Sequence, residues 1–317
     1  MYMRLSKIIL LLFTLAVSVL APAAPGRRDP VKKPFPDSRF MEIDGLRLHY
    51  RTWAPAAAAD TLPWVLMAHG MGGSTFSWER NAPALAAAGF HVVAVDVPPF
   101  GFSDKNPDVN QSPDARAELL WIFLEGLKPG SRWHLVGHSM GGGIVQCMAI
   151  LNPGSVDRVV FSDPALLGKS GEMPMASMPL MKFQPLQWLF TGIGKVFLIR
   201  EKNIRKFLTS AYSAEPDSAD VAEYYRALKQ PGTAKALIRS MAVSKPVIRI
   251  NGLDFNTPAI AIWGNLDSWV PLEKSKPLLE KLPSIKTAVI EGAGHCPMAT
   301  HPDRFNLLLI NFLSLKQ

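Results

Sequence analysis

The chain is poor in the residues that build covalent or metal-held scaffolds. Of its 317 residues only two are cysteines, Cys147 and Cys296. Two thiols cannot make a disulfide framework, and no Cys/His spacing of a structural zinc site occurs. A bond between the two is disfavoured by position. Cys147 lies two turns into the helical pattern that follows Ser139, whereas Cys296 adjoins His295. Charge is scarce as well: 19% of residues are Asp, Glu, Lys or Arg, below the usual quarter of a soluble domain. A disordered chain would show the opposite bias, high charge with few apolar groups. There is no zinc-finger spacing, no RNA-binding signature and no basic stripe interleaved with aromatics, so no nucleic-acid partner is expected.

What is present is apolar mass. Hydrophobic residues make up 48% of the chain, enough to bury one large core with a smaller appendage. The formal net charge is +8, part of it near the N-terminus at Arg27, Arg28, Lys32 and Lys33. That excess would favour an anionic membrane surface, although a generally basic protein is the plainer reading.

Arg4 and Lys7 precede the apolar run Ile8 to Leu20, and the small residues Ala21, Pro22, Ala23 and Ala24 follow. A basic start, a short apolar stretch and an Ala-x-Ala step read as a secretory signal peptide over residues 1–24. The run is about 13 residues, short of the roughly 20 that span a bilayer. Export to the periplasm or medium is therefore expected, with an uncleaved membrane anchor as the alternative. Residues 25–38, rich in Pro, Arg and Lys, read as a linker.

Short apolar runs then alternate with helical patterns. Leu46 to Trp53 reads as an early antiparallel strand. Trp64 to Ala68, His91 to Val95, Trp133 to Val136, Val159 to Ser162, Ala259 to Trp263 and Thr287 to Ile290 read as buried strands. Helical patterns fall near Ser77 to Ala88, Ser112 to Leu127, Met140 to Leu151, Pro271 to Lys281 and Pro302 to Leu315. This succession predicts an α/β fold, a mostly parallel sheet with helices on both faces. Residues 166–247 break the rhythm. They carry no convincing strand and crowd Met173, Met175, Met178, Met181, Phe183, Trp188, Phe197 and Phe207 together. They predict a helical cap inserted into a core formed by 39–165 and 248–317, over the strand ends where open α/β sheets bind ligands.

Four motifs fall at predicted strand ends. Gly137-His138-Ser139-Met140-Gly141 sits between a strand and a helix, the setting of a nucleophile elbow. The turn must be tight so that the serine oxygen points into the cleft, and the flanking glycines remove side chains that would clash there. His69-Gly70-Met71-Gly72-Gly73 follows an earlier strand. With Met140 it offers two convergent backbone N–H groups, those of Met71 and Met140, for an oxyanion. Gly292-Ala293-Gly294-His295 places a histidine on a glycine-rich loop at a strand's C-terminal end, and there His295 falls in the order serine, acid, histidine. The acid is then Asp267, in Trp263-Gly264-Asn265-Leu266-Asp267, with Asp163 at the end of an earlier strand as its rival; Asp254 precedes its strand and is less suited. His138, Gly70 and Gly72, flanking these groups, are candidate substrate contacts.

With Pro98-Pro99-Phe100-Gly101-Phe102-Ser103-Asp104 after Asp96, these motifs resemble the α/β-hydrolase superfamily over roughly residues 40 to 317. The resemblance implies an eight-stranded, mostly parallel sheet with the cap inserted after the sixth strand. Pro99 departs from the family's usual glycine, in a loop away from the chemistry. Haloalkane dehalogenases and epoxide hydrolases of this fold carry aspartate at the position of Ser139, so a serine implies an acyl-enzyme or serine-assisted route.

The expected reaction is hydrolysis of an apolar or lipid-like ester through an acyl-enzyme on Ser139, with no metal and no cofactor. Other chemistries share the triad. A carbon–carbon bond hydrolase of dienoic diketones needs a cation for a carboxylated substrate, for which Arg200 or Arg205 is a candidate. An aminopeptidase removing N-terminal proline needs clustered cap acids, whereas Glu172, Glu201, Glu215 and Glu223 are scattered. A cofactor-free haloperoxidase or perhydrolase usually lacks so large a cap. A non-catalytic binding protein would be expected to have lost triad members, and this chain keeps all of them.

Overall fold

A computed structural model describes residues 33–56, 61–106, 108–168, 199–236 and 250–315. The chain divides into two units, Met1–Pro36 and Asp37–Gln317. The expected leader lies outside the described residues, as do the four cap methionines, Phe183, Trp188 and Phe197. The second unit holds the sheet and every candidate site residue.

Eight strands form one sheet: β1 Arg39–Ile43, β2 Leu46–Trp53, β3 Trp64–Ala68, β4 His91–Val95, β5 Trp133–His138, β6 Val156–Ser162, β7 Ala259–Gly264 and β8 Ile285–Ile290. Their order is β1-β2-β4-β3-β5-β6-β7-β8. β2 pairs antiparallel with β1 and β4, and every other neighbouring pair is parallel. The central strands are apolar without alternation because both faces are covered. Val65 to Ala68, Val92 to Val95 and Leu135 to Val136 are buried throughout. β8, at the edge, buries only its two ends.

Among the described residues the helices are α1 Ala82–Ala87, α2 Pro113–Leu127, α3 Met140–Leu151, α4 Glu201–Tyr212, α5 Ser218–Leu228, α6 Leu272–Leu279, α7 Pro297–Thr300 and α8 Pro302–Leu313. The helix predicted over Ser77 to Ala88 is instead two pieces. A 3₁₀ turn, Thr75–Trp78, is capped by Ser74, and α1 starts anew beside Pro83. Proline lacks the N–H that a continuous helix would need there. β1 is absent from the sequence reading, yet it has a signal. Asp44 (φ 49°) and Gly45 (φ 77°) make a two-residue turn that pairs Ile43 with Leu46, the Asp-Gly hairpin preference.

The parallel strands all run to one edge. There the residues after β3, β5, β6 and β7 include His69, Ser139, Asp163 and Asp267, and His295 follows β8. α4 and α5 belong to the insertion between β6 and β7.

One consequence for stability lies beneath the site. Burial drives the imidazole of His134, on β5, down to about 4, so it is neutral in the fold. In the unfolded chain it would take up a proton near its ordinary 6.5. Stability from this group is complete above that value and is lost as pH falls toward 4, by about 1.4 kcal/mol per pH unit. His134→Phe, which keeps the packing against Phe90, should flatten the pH dependence of the urea unfolding free energy by one proton in that window. An unchanged slope would contradict the assignment.

Candidate active site

Ser139 stands between β5 and α3 with φ 49° and ψ −117°, backbone torsions that a residue with a side chain rarely adopts. Three backbone bonds hold it. Its N–H donates to Ser162 O at 3.0 Å, and its carbonyl accepts from Gly142 N and Ala165 N, both at 2.9 Å. The turn is this tight because α3 presses on the sheet. A methyl group on Gly137 would meet Val145 Cγ2 at 2.6 Å, and one on Gly141 would run into the carbonyl oxygen of Ala68, on β3. Met140 is the first residue of α3, so its N–H belongs to the unpaired, electropositive end of a helix.

The second wall is the loop after β3. His69 is fully buried. Its Nδ1 lies 2.7 Å from Gly70 O and its Nε2 2.9 Å from Val97 N. It therefore donates from Nδ1 and accepts at Nε2, which fixes a neutral tautomer; burial lowers its pKa further. Gly73 N also donates to Gly70 O, at 3.1 Å, closing the turn that carries Met71. A side chain on Gly70 would meet Ser139 Cβ at 3.0 Å, so this loop and the serine are in close approach.

Behind this loop Asp96 is the hub of the proline-rich segment. It is fully buried and accepts from Thr75 N (2.6 Å), Phe102 N (2.6 Å) and His49 Nδ1 (2.7 Å). The Pro98–Pro99 bond is cis. Gly101, at φ 57°, folds over the Asp96 carboxylate, which a side chain at that position would strike.

His295 and Asp267 close the third side. His295 Nδ1 donates to Asp267 Oδ2 at 2.8 Å. The Asp267 Oδ1 atom accepts from Trp269 N at 2.7 Å and from Val270 N at 2.9 Å. Burial alone would push this carboxyl up, but the neighbouring His295 and the hydrogen bonds bring it below its ordinary value. His295 is held by its own backbone: its N–H donates to Ala211 O (2.6 Å) and its carbonyl accepts from His138 Nε2 (2.8 Å). His138, expected as a substrate contact, ties the histidine loop through Nε2 and packs closely against Gly70 on its Nδ1 side. A side chain on Gly70 would meet its Nδ1 at 2.6 Å. Burial drives His138 to about 3, so it is neutral.

Asp163, the rival acid, lies in the same cluster. Asp163, Asp267 and His295 each place a nitrogen or oxygen within 4.8 Å of the others. Asp163 makes no hydrogen bond to His295 among those of the described residues; it accepts from Gly264 N at 2.9 Å. Two carboxyl groups this close to one imidazole are arranged for proton sharing.

Sequence reasoning missed two aromatic residues. Trp269 lies with its ring 5.2 Å from that of His295 and 4.8 Å from that of Phe207 on α4. Phe207 and Leu228, from the insertion, are the nearest groups to the α-carbon side of Gly72. α4 thus lays one aromatic ring between the loop after β3 and Trp269. In the sequence Phe207 stands out only as part of an apolar insertion, and Trp269 carries no motif. Cys147 and Cys296 are both free and buried. Burial raises the Cys296 thiol well above its ordinary range, which leaves it a small apolar neighbour of the site.

The model of a protein family described as alpha/beta hydrolase fold matches residues 63–302. The chain belongs to the alpha/beta hydrolase fold family. Among curated relatives, a 2-hydroxy-6-oxononadienedioate/2-hydroxy-6-oxononatrienedioate hydrolase of Dechloromonas aromatica (strain RCB) is 27% identical over 292 residues, covering 87% of this chain and 95% of the relative. A hydrolase of the same name from Cupriavidus pinatubonensis is 29% identical, with 87% and 95% covered. Among solved structures, a bacterial membrane phospholipase A aligns with TM-score 0.69 at 22% identity, covering 87% of this chain and 85% of that one. A meta-cleavage product hydrolase from Pseudomonas fluorescens aligns with TM-score 0.67 at 22% identity, covering 87% and 97%. These structural likenesses carry the fold, and the family carries the general activity of this α/β hydrolase: it is a hydrolase.

Proposed function

We propose that this α/β hydrolase acts through Ser139, His295 and Asp267 on a carbonyl carbon, and that its substrate is a dienoic keto acid cleaved at a carbon–carbon bond. The observation that carries the catalytic part is the buried 2.8 Å bond from His295 Nδ1 to Asp267 at the sheet edge where Ser139 sits on its strained turn. The substrate part rests on the relatives named for hydrolysis of 2-hydroxy-6-oxo dienedioates.

In this reading Ser139 Oγ attacks the ketone carbon and gives its proton to His295 Nε2. The N–H groups of Met71 and Met140 hold the oxyanion. Cleavage requires that the substrate first shift its 2-hydroxyl proton to the carbon next to the ketone, becoming a diketone; the carbon–carbon bond then breaks, its electron pair passing into the 2-oxo-enoate as a dienolate, and the His295 proton goes to that dienolate. Water, activated by His295, hydrolyses the acyl-enzyme, so the net reaction adds one water. Asp267 fixes the tautomer that leaves Nε2 free to accept. No step needs a metal or cofactor.

Ester hydrolysis is the second reading, and the insertion favours it. Arg205, expected as a cation for a carboxylated substrate, pairs with Glu215 at 2.7 Å. Arg80 pairs with Asp220 and Arg226 with Glu223. The side chains over the site, Phe207, Leu228 and Trp269, are apolar or aromatic. An apolar acyl chain suits that roof, and the same serine chemistry would serve it.

The leader also belongs to this proposal: residues 1–24 have the pattern of an export signal. Among the described residues no helix is long and apolar enough to cross a membrane.

The test is a direct competition. The purified protein is given a synthetic 2-hydroxy-6-oxo dienedioate, followed by loss of its absorbance, and p-nitrophenyl esters from acetate to decanoate. The expected result is a kcat/KM at least about 100-fold higher for the keto acid, the scale of discrimination a built pocket provides. A preference for esters would replace the first reading with the second.

A further inference from the structure

Asp163 is not accounted for by a triad of Ser139, His295 and Asp267, yet the fold invests in it. It follows β6 directly, with φ 41°, and its side chain is fully buried. Its backbone N–H donates to Ile262 O at 3.1 Å. Its Oδ1 accepts from Gly264 N at 2.9 Å, and Ser162 Oγ donates to its Oδ2 at 3.2 Å. Because β6 and β7 are parallel neighbours, their ends bring two aspartates together, each within 4.8 Å of the other and of His295.

Among the described residues, no lysine or arginine forms an ion pair with either carboxylate; the sole partner is His295, on Asp267. Two buried carboxylates beside one imidazole cannot both be ionised cheaply. The hydrogen bonds decide which keeps a proton. Asp267 accepts three N–H bonds, from Trp269, Val270 and His295, which stabilise an anion. Asp163 accepts one N–H and one hydroxyl. Burial first, and the Asp267 charge second, push the Asp163 carboxyl well above its ordinary range.

We propose that Asp163 is a positioning residue that keeps its proton at neutral pH and donates it to Asp267, so that the acid behind His295 is two carboxyls sharing one proton. The proposal rests on the reading of Asp267 and His295 as triad members. A donated hydrogen bond withdraws charge from Asp267, the carboxylate that accepts from His295 Nδ1. Without that hydrogen bond the full charge would sit on Asp267, and labelling of Ser139 would set in at a higher pH. The other titratable groups facing the pair are Cys296 and, from the end of β5, His138. Behind Cys296 stand Tyr212, Tyr224 and Asp220, from α4 and α5.

Two variants separate donation from mere packing. In Asp163→Asn the amide would still accept from Gly264 and donate to Asp267, and asparagine tolerates positive φ. In Asp163→Gly the backbone is tolerated as well, but nothing is left to donate. The experiment compares the parent with both variants in two readouts. Infrared difference spectra at pH 7 should contain the carbonyl stretch of a buried protonated carboxyl in the parent and lose it in Asp163→Asn. The rate at which a fluorophosphonate labels Ser139, measured against pH, should coincide for the parent and Asp163→Asn. In Asp163→Gly its acidic limb should move up by about one pH unit, the scale of one altered charge contact.

No protonated-carboxyl band in the parent would overturn the proposal, as would an Asp163→Asn profile displaced like that of Asp163→Gly. Absence of labelling in every protein, with the band present, would instead remove the serine triad reading and leave the proton on Asp163 established. The two failures are thus distinguishable.

Discussion

Replacing Ser139 with alanine is expected to lower kcat by about 10⁴-fold or more, since loss of a nucleophile removes the whole covalent route and leaves only binding and the oxyanion donors. KM should change little, because the hydroxyl is a small part of any binding surface. The same position gives a second, opposite effect on stability. The torsions of Ser139, φ 49° and ψ −117°, cost on the order of 1–3 kcal/mol for a residue with a side chain, and alanine keeps that cost. Glycine relieves it, so Ser139→Gly should be inactive yet unfold at higher urea than Ser139→Ala. Steady-state kinetics on the preferred substrate and urea midpoints of the three proteins check both halves. Turnover by Ser139→Ala at a tenth of the parent rate would falsify the assignment of the nucleophile. Equal midpoints for alanine and glycine would mean that the turn stores no strain.

Much of the site is legible in the sequence because its chemistry is tied to strand ends. A glycine-flanked serine between a strand and a helix has few other uses, and the chain order of serine, acid and histidine leaves two histidines of seven, His295 and His301, of which only His295 stands on the glycine-rich loop directly after a strand. The two aspartates are harder to separate. Asp163 and Asp267 both follow strands that end on the same edge, and residue type cannot rank them. Ranking needs the donors: the N–H groups of Trp269 and Val270 turn back onto Asp267, whereas Asp163 receives only Gly264 N–H and the Ser162 hydroxyl. Such counts depend on loop conformation, which no spacing encodes. The same holds for His138. Its place beside Ser139 suggests a substrate contact, and its bond to the His295 carbonyl is a further role that residue type does not announce.

The sheet is plain in the sequence where strands are buried on both faces and obscure where they are not. β3, β4 and β5 are runs of apolar residues that only a covered parallel sheet can use. β1 has Arg39 and Glu42 in a five-residue strand, too short and too polar to stand out, although the Asp44-Gly45 turn marks it. The insertion is visible as a break in the strand rhythm. What it does at the site rests on contacts across long separations, such as Phe207 against Trp269, and those are a property of packing.

A large loss of stability is expected for Gly141→Ala. The added methyl group would collide with the carbonyl oxygens of Ala68 and His69. These are main-chain atoms of the central strand β3 and the residue after it, and they cannot rotate aside as a side chain would. Relief requires the start of α3 to retreat from the sheet. That breaks the bond from Gly142 N to Ser139 O and carries Met140 away from Met71. Overpacking of this kind costs about 3 kcal/mol or more where backbone must move. Activity should fall with stability, because the displaced helix end holds both Ser139 and Met140, the proposed nucleophile and oxyanion donor. The fitting control is Gly154→Ala, in the 3₁₀ turn before β6, where an added methyl meets nothing within 4 Å; it should leave stability within about 1 kcal/mol of the parent. Chemical denaturation of both variants, with activity measured well below the midpoint, makes the comparison. If Gly141→Ala unfolds with the parent's midpoint, the close contact between α3 and β3 is not a feature of the folded protein. If it is destabilised but fully active, the helix start can shift without moving the site, and the elbow is not coupled to the oxyanion loop.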